Sequence, residues 1–208
     1  MRVALTFDAE HPDRPRCAPG GADIADTLTR LGVRATFFMQ GRWVQAYPDL
    51  ARRLAADGHL IGSHSFYHAR MPLLSDEGMR SDLLDAQTVI QETVGADPRP
   101  WFRCPWGAGW DDPRVLRTLS EAGYRHAGWD VVAEDWEPDR TPEAIEDAVV
   151  RGVVDPASNG TVEKVVLLHT WPEQTASALP AVIERLRAEG AEFVALDAFR
   201  SVTHAIVD

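Results

Sequence analysis

Short apolar runs alternate along the chain with longer stretches in which apolar residues recur at helical spacing. Residues 3–7, 35–39, 60–62, 101–103, 165–168 and 193–196 read as strands, and 124–132 as one strand or two short ones. Several of these runs are rich in β-branched or aromatic residues, and 165–168 is apolar throughout, as in strands buried on both faces. Residues 23–31, 50–56, 76–94, 115–122, 141–151 and 177–189 read as helices. The longest, 76–94, carries Leu83, Leu84, Ala86, Val89, Ile90 and Val94 at helical spacing, with Ser75 as N-cap and Gly95 just past its end. Gly32, Gly58, Gly123 and Gly190 close other helices in the same way. Strands alternating with helices predict βαβ units and a mostly parallel sheet, in one domain over residues 1–208. An open doubly wound sheet and a closed barrel both fit that pattern.

Composition narrows the functional classes. Hydrophobic residues at 45% and charged residues at 25% describe a folded globular chain, not a disordered or fibrous one. No run of about 18 apolar residues is present, so no transmembrane helix is expected. With 21 basic against 32 acidic residues the net charge is −11. The basic runs are short (Arg14 with Arg16, Arg52 with Arg53), so neither nucleic acid nor an anionic membrane is an expected partner. The first residues pass straight into a strand without a charged leader and apolar core, which reads as a cytoplasmic protein. Cys17 and Cys104 are too few for a disulfide framework, and Cys104 reads as a buried, inert thiol.

Ionisable residues gather after the strands, at the ends where parallel α/β folds carry their sites. The first strand runs into Asp8-Ala9-Glu10-His11, the third into His64-Ser65-Phe66-Tyr67-His68 and the fourth into Arg103-Cys104-Pro105-Trp106-Gly107. The fifth region runs into Asp130 and then Glu134-Asp135-Trp136, and the sixth into His169-Thr170-Trp171. His64 and His68 are spaced i, i+4, which on a helical turn puts both on one face to hold one metal ion. A carboxylate as third ligand would leave a position open to water, as catalytic zinc sites require. Asp8 is a candidate ligand or general base, Arg103 an orienting cation and His169 a general acid. Trp106, Trp136 and Trp171, with Trp101, Trp110 and Trp129, lie near these loops and offer aromatic faces for a sugar ring.

The order of these motifs resembles the polysaccharide deacetylases of carbohydrate esterase family four, the NodB-homology domain. Thr6-Phe7-Asp8-Ala9-Glu10-His11 is similar to that family's TFDDGP motif, and His64-Ser65-Phe66-Tyr67-His68 to its second, histidine-bearing motif. Arg103-Cys104-Pro105-Trp106-Gly107 resembles R-x-P-[YF]-G, Val132-Ala133-Glu134-Asp135-Trp136 resembles D-x-x-D-W, and Leu167-Leu168-His169 resembles the closing L-x-H. The similarity runs from about Val3 to Leu196.

The resemblance implies an α/β fold, a distorted (β/α) barrel with about seven parallel strands. It implies a hydrolase that removes acetyl groups from N-acetylated or O-acetylated sugars, with metal-activated water as nucleophile. The partner is then an acetylated oligosaccharide or amino sugar. The metal, Zn²⁺ by preference with Co²⁺ or Ni²⁺ as alternatives, falls to His64, His68 and Glu10 or Asp8. Asp8 is implied as base, Arg103 as the residue that steadies it, and His169 as acid. Trp106, Trp136, Trp171, Pro105 and Gly107 are implied to line the substrate site. Two positions depart from the pattern. Ala9 stands where the family has its metal-binding aspartate, with Glu10 next in line to reach the ion. Val132 stands where the family has the aspartate that orients the acid histidine, leaving Asp130 or Glu134 as replacements two residues away. A non-sugar amide hydrolase of the allantoinase type, and a carbohydrate-binding relic without activity, are the alternatives.

Overall fold

The computed structural model describes residues 1–13, 21–155 and 163–199; Cys17, Arg14 and Arg16 lie outside them. Eight strands form one parallel sheet. They are β1 (Arg2–Ala9), β2 (Thr36–Met39), β3 (Leu60–Ser63), β4 (Trp101–Phe102), β5 (Arg125–His126), β6 (Val131–Val132), β7 (Glu163–His169) and β8 (Glu192–Phe193). Seven of them run in the order β5-β4-β3-β2-β1-β7-β6, and β8 pairs with β1. The sheet curls into a half-barrel whose edges are β5 and β6, in agreement with the expected distorted barrel of about seven strands. Residues 124–132 resolve into two short strands, and these lie at opposite edges of the sheet. The segment between them crosses the seam.

Among the described residues seven α-helices accompany the strands: α1 (Ala22–Leu31), α2 (Gly41–Ala46), α3 (Pro48–Ala56), α4 (Asp76–Val94), α5 (Pro113–Glu121), α6 (Pro142–Val154) and α7 (Glu173–Ala188). Their starts follow capping chemistry. The Ser75 hydroxyl accepts from the Gly78 N–H, Asp112 accepts from the N–H groups of Arg114 and Val115, and Thr141 accepts from the Ala144 N–H. Helix α2 is absent from the sequence reading, because six residues are too few to show a helical period. Helix α7 starts at Glu173, earlier than expected, and carries Pro180 inside it. The final run shortens to β8 followed by a 3₁₀ turn at Leu196–Ala198.

β1 is the sheet's central element. From Val3 to Ala9 it is buried, flanked by β2 and β7, and its Phe7 ring stacks on Phe37 at 5.1 Å. Truncating such a fully buried ring to alanine costs about 3–5 kcal/mol. The register places Asp8 opposite His169 on one side and Phe38 on the other. Two residues that the motifs put 161 positions apart thus become neighbours by strand pairing alone.

Candidate active site

Side chains alternate across a strand, so Asp8 and Glu10 leave the end of β1 on the same side while Ala9 turns into the apolar core. Asp8 meets Arg103, which follows β4. Arg103 is fully buried and donates to four acceptors: Asp8 Oδ1 at 2.9 Å, Thr6 Oγ1 at 2.9 Å, and the backbone carbonyls of Ala127 at 3.1 Å and Gly128 at 3.0 Å. Its guanidinium also lies 4.2 Å from the centre of the Phe38 ring. Burial pulls its pKa down and Asp8 opposes that. The carbonyls of Ala127 and Gly128 belong to the segment that crosses the seam, so one side chain both fixes Asp8 and ties that segment to central β1.

His64 and His68 do not sit on a helical turn. They flank a loop after β3 that contains two left-handed residues, Ser65 at φ 67° and His68 at φ 60°. The loop is held from outside. Asp82 on α4, itself buried, accepts from the N–H groups of Phe66 (3.0 Å) and Tyr67 (3.1 Å). The first turn of α2 donates the Gly41 N–H to the Ser65 carbonyl at 2.9 Å. Gly41 is required there, because a Cβ would lie 2.3 Å from the Phe66 ring. The ring centroids of the two histidines end 4.9 Å apart, which the i, i+4 spacing anticipates for a different reason.

Glu10 lies among three imidazoles. Its Oε2 faces His64 Nε2 at 3.2 Å and makes a close contact with His68 Nε2, while its Oε1 faces His11 Nε2 at 3.1 Å. Trp171 donates its indole N–H to Oε1 at 3.1 Å. Burial alone would raise the carboxyl, but hydrogen bonds with His11, His64 and His68 hold it well below the usual range. The set suits a divalent ion. His64 Nδ1 lies 2.9 Å from the Arg103 carbonyl, which fixes the ring with Nε2 turned toward Glu10 as the atom available to an ion. Glu10, His11 and His68 offer ligand atoms within 4.8 Å of one another.

Across the cavity, His169 ends β7. Its Nδ1 and its backbone N–H contact the two oxygens of Asp135, each at 2.8 Å, and the Thr175 hydroxyl donates to Asp135 Oδ2 at 2.7 Å. Burial opposes the charged imidazole, but Asp135 dominates, with Glu10 and Asp8 adding, and the pKa rises to about 9. Asp135 therefore does what neither Asp130 nor Glu134 does. Asp130 accepts from the Val165 N–H at 2.7 Å, and Glu134 faces Arg140 at 3.6 Å on the surface. Val132, half-exposed on β6, is not needed for it.

These groups line one cavity of about 520 Å³, together with Arg70, Trp106, Gly107, Trp129, Trp136 and Trp171. Trp106 is 54% exposed, adopts a left-handed backbone at φ 61°, and donates its indole N–H to the His68 carbonyl at 3.3 Å. Trp136 stands edge-on to His169, with ring centroids 5.2 Å apart. Pro105 is buried behind this wall, and neither it, Trp101 nor Trp110 is among the lining residues. Burial pushes the Cys104 thiol up to about 12, in keeping with an inert core residue.

The profile of the family described as polysaccharide deacetylase matches residues 1–127. A peptidoglycan-N-acetylglucosamine deacetylase of Bacillus cereus is 32% identical over 207 residues, covering 97% of this chain and 89% of that one. The chain belongs to the polysaccharide deacetylase family. A second relative, the peptidoglycan-N-acetylglucosamine deacetylase PgdA of Listeria monocytogenes, is 32% identical over 94% of this chain, which spans only 38% of that protein's length. Among solved structures, a family 4 acetyl xylan esterase from Clostridium thermocellum in complex with a cobalt ion superimposes with a TM-score of 0.79 at 33% identity, covering 95% of this chain and 89% of that one. Within the polysaccharide deacetylase pattern, both departures in this chain have a local answer. Glu10 brings a carboxylate to His64 where Ala9 has none, and Asp135 contacts His169 where Val132 has no polar group. The signal for Asp135 was present in the sequence as the Asp-Trp pair at 135–136.

Proposed function

We propose that this chain is a metal-dependent deacetylase of N-acetylated or O-acetylated sugars, with Zn²⁺ as the preferred ion. The observation that carries the reading is the pairing of two differently tuned stations across one cavity. Asp8 is held by Arg103 on one side, and His169 is held protonated by Asp135 on the other. Glu10, His64 and His68 would hold the ion, which when bound supplies Lewis-acid polarisation of the acetyl carbonyl and a more acidic water. Asp8 takes the proton of the attacking water, with Arg103 keeping its carboxylate aimed into the cavity. The water oxygen bonds to the carbonyl carbon, and the bond from that carbon to the sugar nitrogen or oxygen breaks. His169 gives its proton to the departing atom, so acetate and a free amine or hydroxyl leave. Trp106 and Trp136 offer the faces on which a sugar ring rests.

The test is acetate release from N-acetylated chitooligosaccharides and acetylated xylan by metal-stripped protein, with and without added Zn²⁺ or Co²⁺. Metal-dependent acetate supports the reading. Tight metal binding without acetate from either substrate would overturn the sugar assignment, and no metal binding would overturn the enzyme.

A further inference from the structure

We propose that His11 and Trp171 hold one oxygen of Glu10 so that the other oxygen alone faces His64 and His68, which makes His11 a positioning residue for the metal site. The proposal rests on the metal-dependent reading above. The two oxygens of Glu10 have different company. Oε1 receives the Trp171 indole N–H at 3.1 Å and lies 3.1 Å from His11 Nε2. Oε2 lies 3.2 Å from His64 Nε2 and in close contact with His68 Nε2. A carboxylate oxygen only accepts, and an indole N–H only donates. In the tautomer that carries the His11 proton on Nε2, the two N–H groups use both lone pairs of Oε1, which leaves Oε2 turned to His64 and His68.

Glutamate needs such a restraint. It is one methylene longer than aspartate and has one more torsion to fix, so an unrestrained Glu10 would swing between one-oxygen and two-oxygen ligation. His11 is built to supply the restraint. Its backbone is left-handed, at φ 54°, which is uncommon for a residue other than glycine. Its N–H donates to Gln40 Oε1 at 3.1 Å, and Gln40 is buried at the end of β2 with its own N–H on the Ala9 carbonyl. Its ring is set between His68 and Trp171, with centroids 4.9 Å and 5.8 Å away. The rival role for His11 is a direct ligand, since its nitrogen also groups with those of Glu10 and His68.

The experiment measures Zn²⁺ affinity by chelator competition, and the visible absorption of the Co²⁺-loaded protein, for the wild type and for His11→Ala, His11→Gln and Trp171→Phe. Circular dichroism checks that each variant is folded. Loss of a residue that orients a ligand typically lowers metal affinity about 10–100-fold. His11→Ala and Trp171→Phe are expected to show that loss. His11→Gln, whose side-chain amide can still donate to Oε1, is expected to recover most of it and to keep the wild-type Co²⁺ spectrum. Wild-type affinity in both His11→Ala and Trp171→Phe would overturn the proposal while leaving the metal site intact. Failure of His11→Gln to rescue, with a Co²⁺ band altered in intensity and position, would overturn it in favour of direct ligation. A wild-type protein that binds neither ion would overturn the functional reading itself and this proposal with it.

Discussion

The two walls of the cavity are made from the same chemical pair, a buried carboxylate against imidazole, in different proportions. On the β7 side Asp135 serves one histidine. It accepts from His169 twice and from Thr175 once, and His169 is pushed up to about 9. On the β1 side Glu10 is divided among His11, His64 and His68. There the outcome splits. Burial lowers His68, with His64 and His11 adding to it, whereas His64, which has Asp8 beside it as well as Glu10, is raised against its burial. A carboxylate that serves one imidazole stores a proton on it. On the crowded side only His68 is pushed down, and its ring keeps a lone pair suited to an ion. In the proposed reading the acid role falls to the wall where one carboxylate serves one imidazole, and the ligand role to the wall where imidazoles outnumber carboxylates.

Removing a member of the crowded side is expected to have the largest effect. His64→Ala should abolish both Zn²⁺ binding, read by metal analysis after dialysis, and acetate release. Asp8→Asn should lower kcat by roughly 10²–10⁴-fold, the usual worth of a general base. It keeps an oxygen for Arg103, so metal content should stay at the wild-type level; a variant that turns over at full rate would remove Asp8 as base.

The sparse side is tested by Asp135→Asn. The proton on His169 is bound more tightly in the folded protein, about 9, than at the ordinary 6.5. A raised value of this kind stabilises the fold fully below about 6.5, and that contribution is lost as pH rises through about 9. In the proposed reaction the same proton goes to the leaving group, so kcat/KM should fall on the alkaline side near 9. Asp135→Asn should move that limb down toward 6.5 and lower kcat about 10²-fold. An unmoved limb would show that Asp135 does not set the proton. The smallest effect is expected outside the cavity. Asp82→Ala leaves the N–H groups of Phe66 and Tyr67 without their acceptor, a loss of about 2 kcal/mol. At about 2–4 °C per kcal/mol for a chain of this size, Tm should drop by roughly 4–8 °C, read by differential scanning calorimetry.

Much of this was legible in the residues because the decisive signals are local. The strand-end motifs carry their own residue types, and β1, α4 and β7 are long enough to show their periods. What escaped did so for identifiable reasons. Asp130 and Glu134 were candidates because alternate residues share a face of a strand, but β6 stops at Val132, and beyond it the chain turns and brings Asp135 back toward β7. The i, i+4 spacing of His64 and His68 suggested a helical turn; the rings meet through left-handed residues that no periodicity encodes. Asp82 carries no signal of its own in the sequence, since its partners are backbone N–H groups, which every residue but proline supplies.

Arg103 carries a consequence for how variation at this site would be sampled. Its four acceptors include the carboxylate at the reaction centre and the carbonyls that bridge the seam of the half-barrel. No other side chain offers that fork of donors; lysine presents a point charge on a flexible stem. In a library scored separately for soluble yield and for turnover, substitutions at His68 should populate the class that is abundant but inactive. Substitutions at Arg103 should be missing from that class, because each would lose yield and turnover together. A positioning residue of this kind would be recorded as a folding position by any screen that reads abundance alone.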